Sequence, residues 1–121
     1  MIFSKAATSR INAGLQTRTT RRGKKRWELG GVHPVQRGNY GPVVGWVRIV
    51  ALARIRLGTL SEQDAVAEGF TNLEAFKRHW RFLYRRWDAS LEVWDIRFVM
   101  TGRPERHVQQ TSLFDEREEQ G

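Results

Sequence analysis

The spacing of apolar residues changes along the chain, and near the start it predicts a helix. Ala7, Ile11 and Leu15 recur at helical spacing after a short opening strand or turn. Ser4 is a good N-cap residue, and Gly14 suits a C-terminal stop. We therefore predict a helix between these two residues.

Three segments that follow have the composition of β-strands. Residues 17–22 alternate and are rich in Thr. Residues 32–36 contain Pro34, so this strand should lie at a sheet edge or be bulged. Residues 43–57 are dense in Val and Ile. This run exceeds the usual strand length of about 3–10 residues, which predicts a bend, a bulge or a hairpin near Gly45.

Two helices and a last strand are predicted next. Residues 61–64 have the spacing of a capping box and open a short helix that ends at Gly69. Residues 71–74 form a second such box and open a longer helix that runs to about Trp87. Residues 91–101 again have the pattern of a strand. The apolar stripe of the longer helix has core-facing spacing and consists of Leu73, Phe76, Trp80, Leu83 and Trp87.

The order of strands, two helices and a final strand is typical of an α+β domain. We expect a small barrel or a strongly curved mixed sheet with helices packed against it. The length of 121 residues suits one domain, which we place at residues 1–102. The polar residues 103–121 predict a flexible C-terminal tail.

Composition excludes several classes of protein. The absence of cysteine excludes a disulfide scaffold and a thiol nucleophile. The longest apolar run is far shorter than the ~20 residues of a membrane helix, and the first residues lack a signal-peptide pattern. His33, His79 and His107 lie too far apart for metal-ligand spacing, so we expect no metal and no other cofactor. We expect a soluble, cytoplasmic protein.

Positive charge is the strongest chemical signal. The chain has 21 Lys and Arg against 13 Asp and Glu, a net charge of +8, which is typical of a nucleic-acid-binding protein. Six cations fall within nine positions, where their mutual repulsion favours phosphate contacts over a merely solvated loop. These residues are Arg18, Arg21, Arg22, Lys24, Lys25 and Arg26. Trp27 follows them and is the best candidate for stacking on a base, ahead of Tyr40 and Trp46, with packing as the alternative for all three.

Two signatures carry a resemblance to a known family. The run Gly14-Leu15-Gln16-Thr17-Arg18-Thr19-Thr20-Arg21 follows the first helix. The run Thr59-Leu60-Ser61-Glu62-Gln63-Asp64-Ala65-Val66-Ala67-Glu68-Gly69-Phe70 follows the long strand. In this order they resemble the ASCH domain, a PUA-like barrel, over roughly residues 2–101. The first signature of that family has the pattern Gly-x-Lys-Thr-x-Thr-x-Arg or Gly-x-Lys-x-x-Glu-x-Arg.

The resemblance implies a pocket where the first signature meets the Glu-bearing helix. ASCH domains are thought to bind RNA or modified nucleosides. Some small bacterial members are acetylcytidine amidohydrolases, and another branch is reported to have ribonuclease activity. The Lys, Thr and Glu of the amidohydrolase site correspond here to Gln16, Thr19 and Glu68, with Arg21 beside them.

Gln16 is the departure that matters, because Gln cannot accept a proton at neutral pH. Amide hydrolysis needs an activated nucleophile and a group that stabilises the oxyanion. Gln16, Thr19 and Glu68 would therefore hydrogen-bond a base edge and hydrolyse weakly or not at all, unless Lys5 supplies the base. The alternatives are an ordinary strand Thr19, and a Glu68 that is a surface charge or the ion-pair partner of a structural Arg21.

The C-terminal tail supports a different hypothesis. Residues 110–114, Gln-Thr-Ser-Leu-Phe, resemble the bacterial sliding-clamp-binding pentapeptide, with Thr111 in place of the usual Leu. In such a motif Leu113 and Phe114 enter an apolar pocket of the clamp, and Gln110 makes polar contacts. The alternative is that the two apolar side chains dock on the domain itself.

We therefore predict a nucleic-acid-binding ASCH domain that recognises RNA or a modified nucleotide. The segment 14–26 would contact phosphates, and the pocket would use Thr19, Arg21 and Glu68. The first alternative is a hydrolase, either an acetylcytidine amidohydrolase or a ribonuclease. The second is an adaptor that reaches a sliding clamp through its tail.

Overall fold

A mixed sheet flanked by helices organises the chain. The structure is a computed structural model that describes residues 1–104. The strands are β1 (Ile2–Phe3), β2 (Arg18–Arg21), β3 (Val32–Arg37), β4 (Val43–Arg56) and β5 (Glu92–Thr101). The α-helices within those residues are α1 (Lys5–Asn12), α2 (Glu62–Ala67) and α3 (Leu73–Tyr84). The predicted α+β class and the predicted order of elements are both confirmed.

The strands form one sheet in the order β1-β3-β4-β5-β2. β1 pairs with β3 in parallel, and every other neighbouring pair is antiparallel. β4 lies at the centre, and β2 takes its place at the far edge by pairing with β5. The two signature-bearing segments thus come together through the last strand of the domain.

The expected irregularities occur, although not all at the expected positions. β3 has a bulge at Val35/Gln36, as its proline predicts, but it is not an edge strand because the short β1 pairs alongside it. The irregularity in β4 lies at Ile49/Ala51 rather than near Gly45. Gly45 has another role, because a Cβ there would lie 2.8 Å from the Asn12 Oδ1 atom at the end of α1.

The helix boundaries follow their caps. The Ser4 side chain accepts a hydrogen bond from the Ala7 amide, and α1 ends at Asn12, so Leu15 lies beyond the helix and is 68% exposed instead of buried. α3 ends at Tyr84, three residues before the predicted Trp87, because Arg85 adopts a left-handed conformation with φ 73°.

Buried apolar residues pack in three clusters around the sheet. The cluster beneath α1 contains Phe3, Ala7, Ile11, Val35, Val47 and Phe98. The cluster beneath α2 and α3 contains Leu57, Leu60, Ala65, Phe76, Trp80 and Val93. The third consists of Trp27, Ile49 and Ile96. The first two clusters hold the helices in place against the sheet.

Candidate functional site

A cavity of about 320 Å³ lies where α1, β2 and α3 approach one another. Its size is in the range of small-ligand sites. Its larger apolar side chains come mainly from α3 and the segment before it, and are Phe3, Phe70, Phe76, Trp80, Leu83 and Tyr84. Its polar side chains come mainly from the two signatures, and are Arg10, Gln16, Thr19, Thr20, Arg21, Glu68 and His79.

A buried ion cluster lies directly beside this pocket. The fully buried Arg18 donates from Nη1 to Glu68 Oε1 at 2.8 Å and from Nε to Asp95 Oδ1 at 2.7 Å. Thr20 completes the cluster, since its hydroxyl and its backbone amide donate to the two oxygens of Glu68 at 2.7 and 3.1 Å. The cluster joins β2, α2 and β5, the elements that carry the two signatures.

Glu68 is held firmly by these contacts. Burial raises its pKa above the ordinary value, while the hydrogen bond from the Thr20 hydroxyl and the Arg18 guanidinium oppose that shift. Both carboxylate oxygens already accept hydrogen bonds from the protein. Glu68 is therefore engaged by the protein itself and holds β2 and α2 together beside the pocket.

Thr19 and Arg21 project from β2 on the side opposite to Arg18, as the alternation of a strand requires. The Arg21 Nε atom donates to Thr19 Oγ1 at 3.1 Å, and Nη2 donates to the Ile2 carbonyl at 2.8 Å. The guanidinium also lies 4.7 Å from the centre of the Phe3 ring. Burial lowers the pKa of Arg21, although Glu68 opposes the shift, and an arginine so placed still carries its charge.

Gln16 makes contacts with both of its amide atoms. Nε2 donates to the Arg18 carbonyl at 3.2 Å, and Oε1 accepts from Arg10 Nε at 3.2 Å. The Arg10 side chain passes over Gly69, where a Cβ would overlap the guanidinium. Gly69 also has a left-handed φ of 94°, so both the close contact with Arg10 and the backbone conformation favour glycine at this position. The charge at this side of the pocket thus comes from Arg10.

The arrangement is better suited to binding than to hydrolysis. The Thr19 hydroxyl accepts from an arginine, which cannot act as a base, and Gln16 replaces the lysine that the resemblance implies. Lys5 is exposed and does not line the pocket. Aromatic side chains beside fixed hydrogen-bonding groups are a common way to hold a flat heterocycle.

A basic loop, residues 22–26, begins at the edge of this pocket. The Arg22 guanidinium lies 4.1 Å from the centre of the Tyr84 ring. The Gly23 carbonyl accepts hydrogen bonds from Trp94 Nε1 at 3.0 Å and from Arg54 Nη1 at 3.3 Å, which fixes the loop to β5 and β4. The exposed cations of the loop are Arg22, Lys24, Lys25 and Arg26. The pocket and the positive surface are therefore continuous.

Two residues of the predicted phosphate-binding segment belong elsewhere. Arg18 has no exposed surface, because the alternation of β2 directs it inward to Glu68 and Asp95, so its assignment to the phosphate-contacting patch is wrong. Trp27 is 7% exposed and packs with Ile49 and Ile96, so it is a core residue and not a stacking platform. Tyr40 is fully exposed and is not among the residues that line the pocket.

Sequence reasoning missed Arg10, His79, Phe70 and Tyr84 as residues of the pocket. For Arg10 a signal existed, because it lies one helical turn after the buried Ala7, on the same face of α1. The other three lie outside the apolar stripe of α3, so the periodicity of that helix gave no signal for them. Other side chains of α3 that face the pocket also pack the core, and one periodicity describes both.

Some predictions fall outside the described residues. The candidate clamp-binding residues Gln110, Leu113 and Phe114 lie in that part of the chain, as does His107. Among residues 1–104, no group of three His, Asp or Glu side chains is placed to hold a metal ion. None of the helices in that region has the length and hydropathy needed to cross a membrane.

Comparison with known proteins identifies the fold. No protein-family model matches the sequence, and no curated protein sequence matches it significantly. The ASCH domain from Lactobacillus crispatus has a TM-score of 0.66 at 15% identity, over 78% of this chain and 70% of that chain. A DUF984 protein from Enterococcus faecalis has a TM-score of 0.67 at 16% identity, over 81% and 68%.

A mutant form of the ASCH protein from Zymomonas mobilis has a TM-score of 0.64 at 15% identity, over 90% of this chain and 75% of that chain. These similarities cover between 78% and 90% of this chain. The chain therefore has the α+β fold of the ASCH domain, as the two sequence signatures predict.

Proposed function

We propose that this protein binds RNA by holding one base in the pocket of Thr19, Arg21 and Glu68, while the basic loop contacts the neighbouring phosphates. The observation that carries the proposal is the continuity of the two surfaces. Arg21 lines the pocket, and the next residue, Arg22, stacks on Tyr84 at its edge. In a nucleotide chain, the flat base and the charged phosphates of the backbone are likewise adjacent.

The lining supports recognition of a base. Tyr84, Trp80 and Phe70 provide aromatic surface, and a base stacked on an aromatic ring gains about 1–3 kcal/mol. The Thr19 hydroxyl and the Arg21 guanidinium offer polar groups that can pair with a base edge. Because every polar group of the ion cluster except Arg18 Nη2 has a protein partner, the site is rigid before any ligand arrives.

The loop supports phosphate binding. Lys24, Lys25 and Arg26 are exposed and form no ion pair with a carboxylate of residues 1–104. The hydrogen bonds to the Gly23 carbonyl hold the loop against the sheet, so less conformational entropy is lost on binding.

The test is fluorescence anisotropy with a labelled single-stranded RNA of mixed sequence. We expect the triple variant Lys24→Ala/Lys25→Ala/Arg26→Ala to weaken binding about tenfold or more and to flatten the dependence of log K on log salt by about 2, since each lost phosphate contact contributes about 0.7. The matched control is Arg56→Ala/Arg78→Ala/Arg86→Ala, which removes the same charge from exposed positions elsewhere. Equal weakening by both triples would contradict a local phosphate site.

A second pair of variants tests the pocket. Tyr84 lines it, whereas Phe82 lies on another face of α3 and is 79% exposed. Tyr84→Ala should weaken RNA binding about tenfold through lost stacking, and Phe82→Ala should leave it unchanged. The base-holding part of the proposal fails if the two variants bind alike.

A further inference from the structure

Two arginines of the pocket have no carboxylate partner among residues 1–104. Arg10 on α1 and Arg21 on β2 both line the cavity. Neither takes part in any of the ion pairs formed among residues 1–104. A partly buried cation without a counterion is unfavourable, so its presence at a cavity indicates that an anion is bound there during function.

Neutral groups hold both guanidinium groups in place. Arg10 donates through Nε to the side-chain oxygen Oε1 of Gln16 and passes over Gly69. Arg21 donates to the Thr19 hydroxyl and to the Ile2 carbonyl. These contacts orient the side chains while leaving their charge uncompensated. Side chains positioned in this way lose little entropy when a ligand binds.

The carboxylate of the pocket, Glu68, acts on Arg21 only through space and forms no ion pair with either arginine. Glu68 accepts its hydrogen bonds from Arg18 and Thr20, and the second acid of the cluster, Asp95, pairs with Arg18 and Arg97. The other titratable side chains of the cavity are His79, which adds no negative charge, and Tyr84. The charge that faces the cavity is therefore positive.

We propose, building on the RNA-binding function above, that the pocket selects a nucleotide that carries a phosphate monoester, and that Arg10 and Arg21 bind this phosphate. The base then lies against the aromatic lining. A phosphate monoester carries close to two negative charges at neutral pH and matches the fork of an arginine. A neutral nucleoside cannot satisfy either cation. The same chemistry occurs in a free mononucleotide and at the phosphorylated end of an RNA chain.

The test is isothermal titration of the full chain with the four ribonucleosides, their 5′- and 3′-monophosphates, and inorganic phosphate. At least one monophosphate should bind tenfold or more tightly than its nucleoside and than inorganic phosphate. Arg10→Gln should abolish most of that preference, and Arg10→Lys should retain part of it. Arg78→Gln, on the face of α3 away from the cavity, is the control and should bind like the wild type.

Several results would overturn the inference. They are equal affinity for nucleosides and monophosphates, a preference that survives in both Arg10→Gln and Arg21→Gln, and inorganic phosphate binding as tightly as any nucleotide. Absence of binding by every nucleoside and nucleotide would overturn it as well. Melting temperatures of all variants show that a lost preference is not a lost fold.

RNA oligonucleotides separate this inference from the function on which it rests. If a monophosphate is preferred, comparison of 5′-phosphorylated with 5′-hydroxyl RNA identifies the chain end or the free nucleotide as the source of the phosphate. RNA that binds through the basic loop without any monophosphate preference rejects the inference alone. Failure of RNA to bind, with the monophosphate preference present, rejects RNA as the ligand and retains the phosphate site.

Discussion

At the scale of single residues, Arg18 shows what a charge pattern conceals. In the sequence it is one of six clustered cations, yet in the structure it is the only one of them that is fully buried. Its partners Glu68 and Asp95 are 50 and 77 positions away. The Thr and Glu of the pocket could be predicted from the two signatures, but no local pattern predicts a pairing over such distances.

The buried ion cluster gives the first prediction about single residues. Glu68→Gln removes one of the two negative partners of the fully buried Arg18, leaving its charge poorly compensated. We expect the free energy of unfolding to fall by about 3 kcal/mol, measured by urea denaturation at pH 7.

The control for this variant is Glu74→Gln, which breaks a pair with Arg81 between two exposed side chains. This change should cost less than about 1 kcal/mol. If the two substitutions cost the same, the Arg18 cluster does not hold the fold together as its geometry indicates.

Gln16 gives a second prediction, concerning catalysis. The wild-type chain should not hydrolyse acetylcytidine, because neither Gln16 nor an arginine can serve as a base for Thr19. In Gln16→Lys the new amine would lie beside Arg10, and a neighbouring cation lowers the pKa of a lysine toward that of a useful base. Turnover should therefore appear in the variant, and chromatographic detection of the cytidine product measures it. Turnover by the wild type would show that another group acts as the base.

At the scale of elements, helix caps were the most predictable feature. Ser61 and Asp64 form the capping box that their spacing predicts. The capping box predicted for α3 at residues 71–74 is wrong, because Asn72 rather than Thr71 is the N-cap and accepts from the amide of Ala75, whose side chain cannot return a hydrogen bond. Residues in one turn determine such caps. The position of the β4 bulge depends instead on pairing with β5, which the chain reaches only after two helices.

Asp64 makes the cap of α2 dependent on pH. It accepts from the Ser61 amide at 2.9 Å and from Arg97 Nη2 at 2.6 Å, so it also joins α2 to β5. Although burial acts to raise its pKa, the hydrogen bonds from Ser61 and Arg97 lower it below the ordinary value. A carboxyl with a lowered folded-state pKa stabilises the fold above about pH 4, and this stabilisation disappears as the pH falls through the folded-state pKa.

Asp64→Asn should therefore lower the free energy of unfolding at pH 7 by about 1 kcal/mol, and the difference from the wild type should vanish near pH 2. Urea denaturation at the two pH values measures it. The exposed Glu74→Gln again serves as the control. A difference that persists unchanged at pH 2 would mean that Asp64 acts through its shape and not through its charge.

At the scale of the whole molecule, the fold class followed from the order of elements, and the order of strands in the sheet did not. β2 pairs with β5, although β3 and β4 lie between them in sequence. That pairing brings the first signature beside α2 and forms the pocket. The excess of basic residues likewise predicted a charged surface, and only the paired strands show that this surface begins at a cavity.

The consecutive residues Glu68, Gly69 and Phe70 contribute to the site in different ways. Glu68 accepts hydrogen bonds in the ion cluster, Gly69 leaves space for the Arg10 side chain, and Phe70 lines the cavity. A substitution at any of them would remove one of these contributions to the site. Altered ligand preference, in evolution or in a designed library, must therefore arise from the helices that face this segment. His79 and Leu83 line the cavity outside the ion cluster and the proposed phosphate contacts, so randomising them offers the route to a retargeted binding protein with the same scaffold.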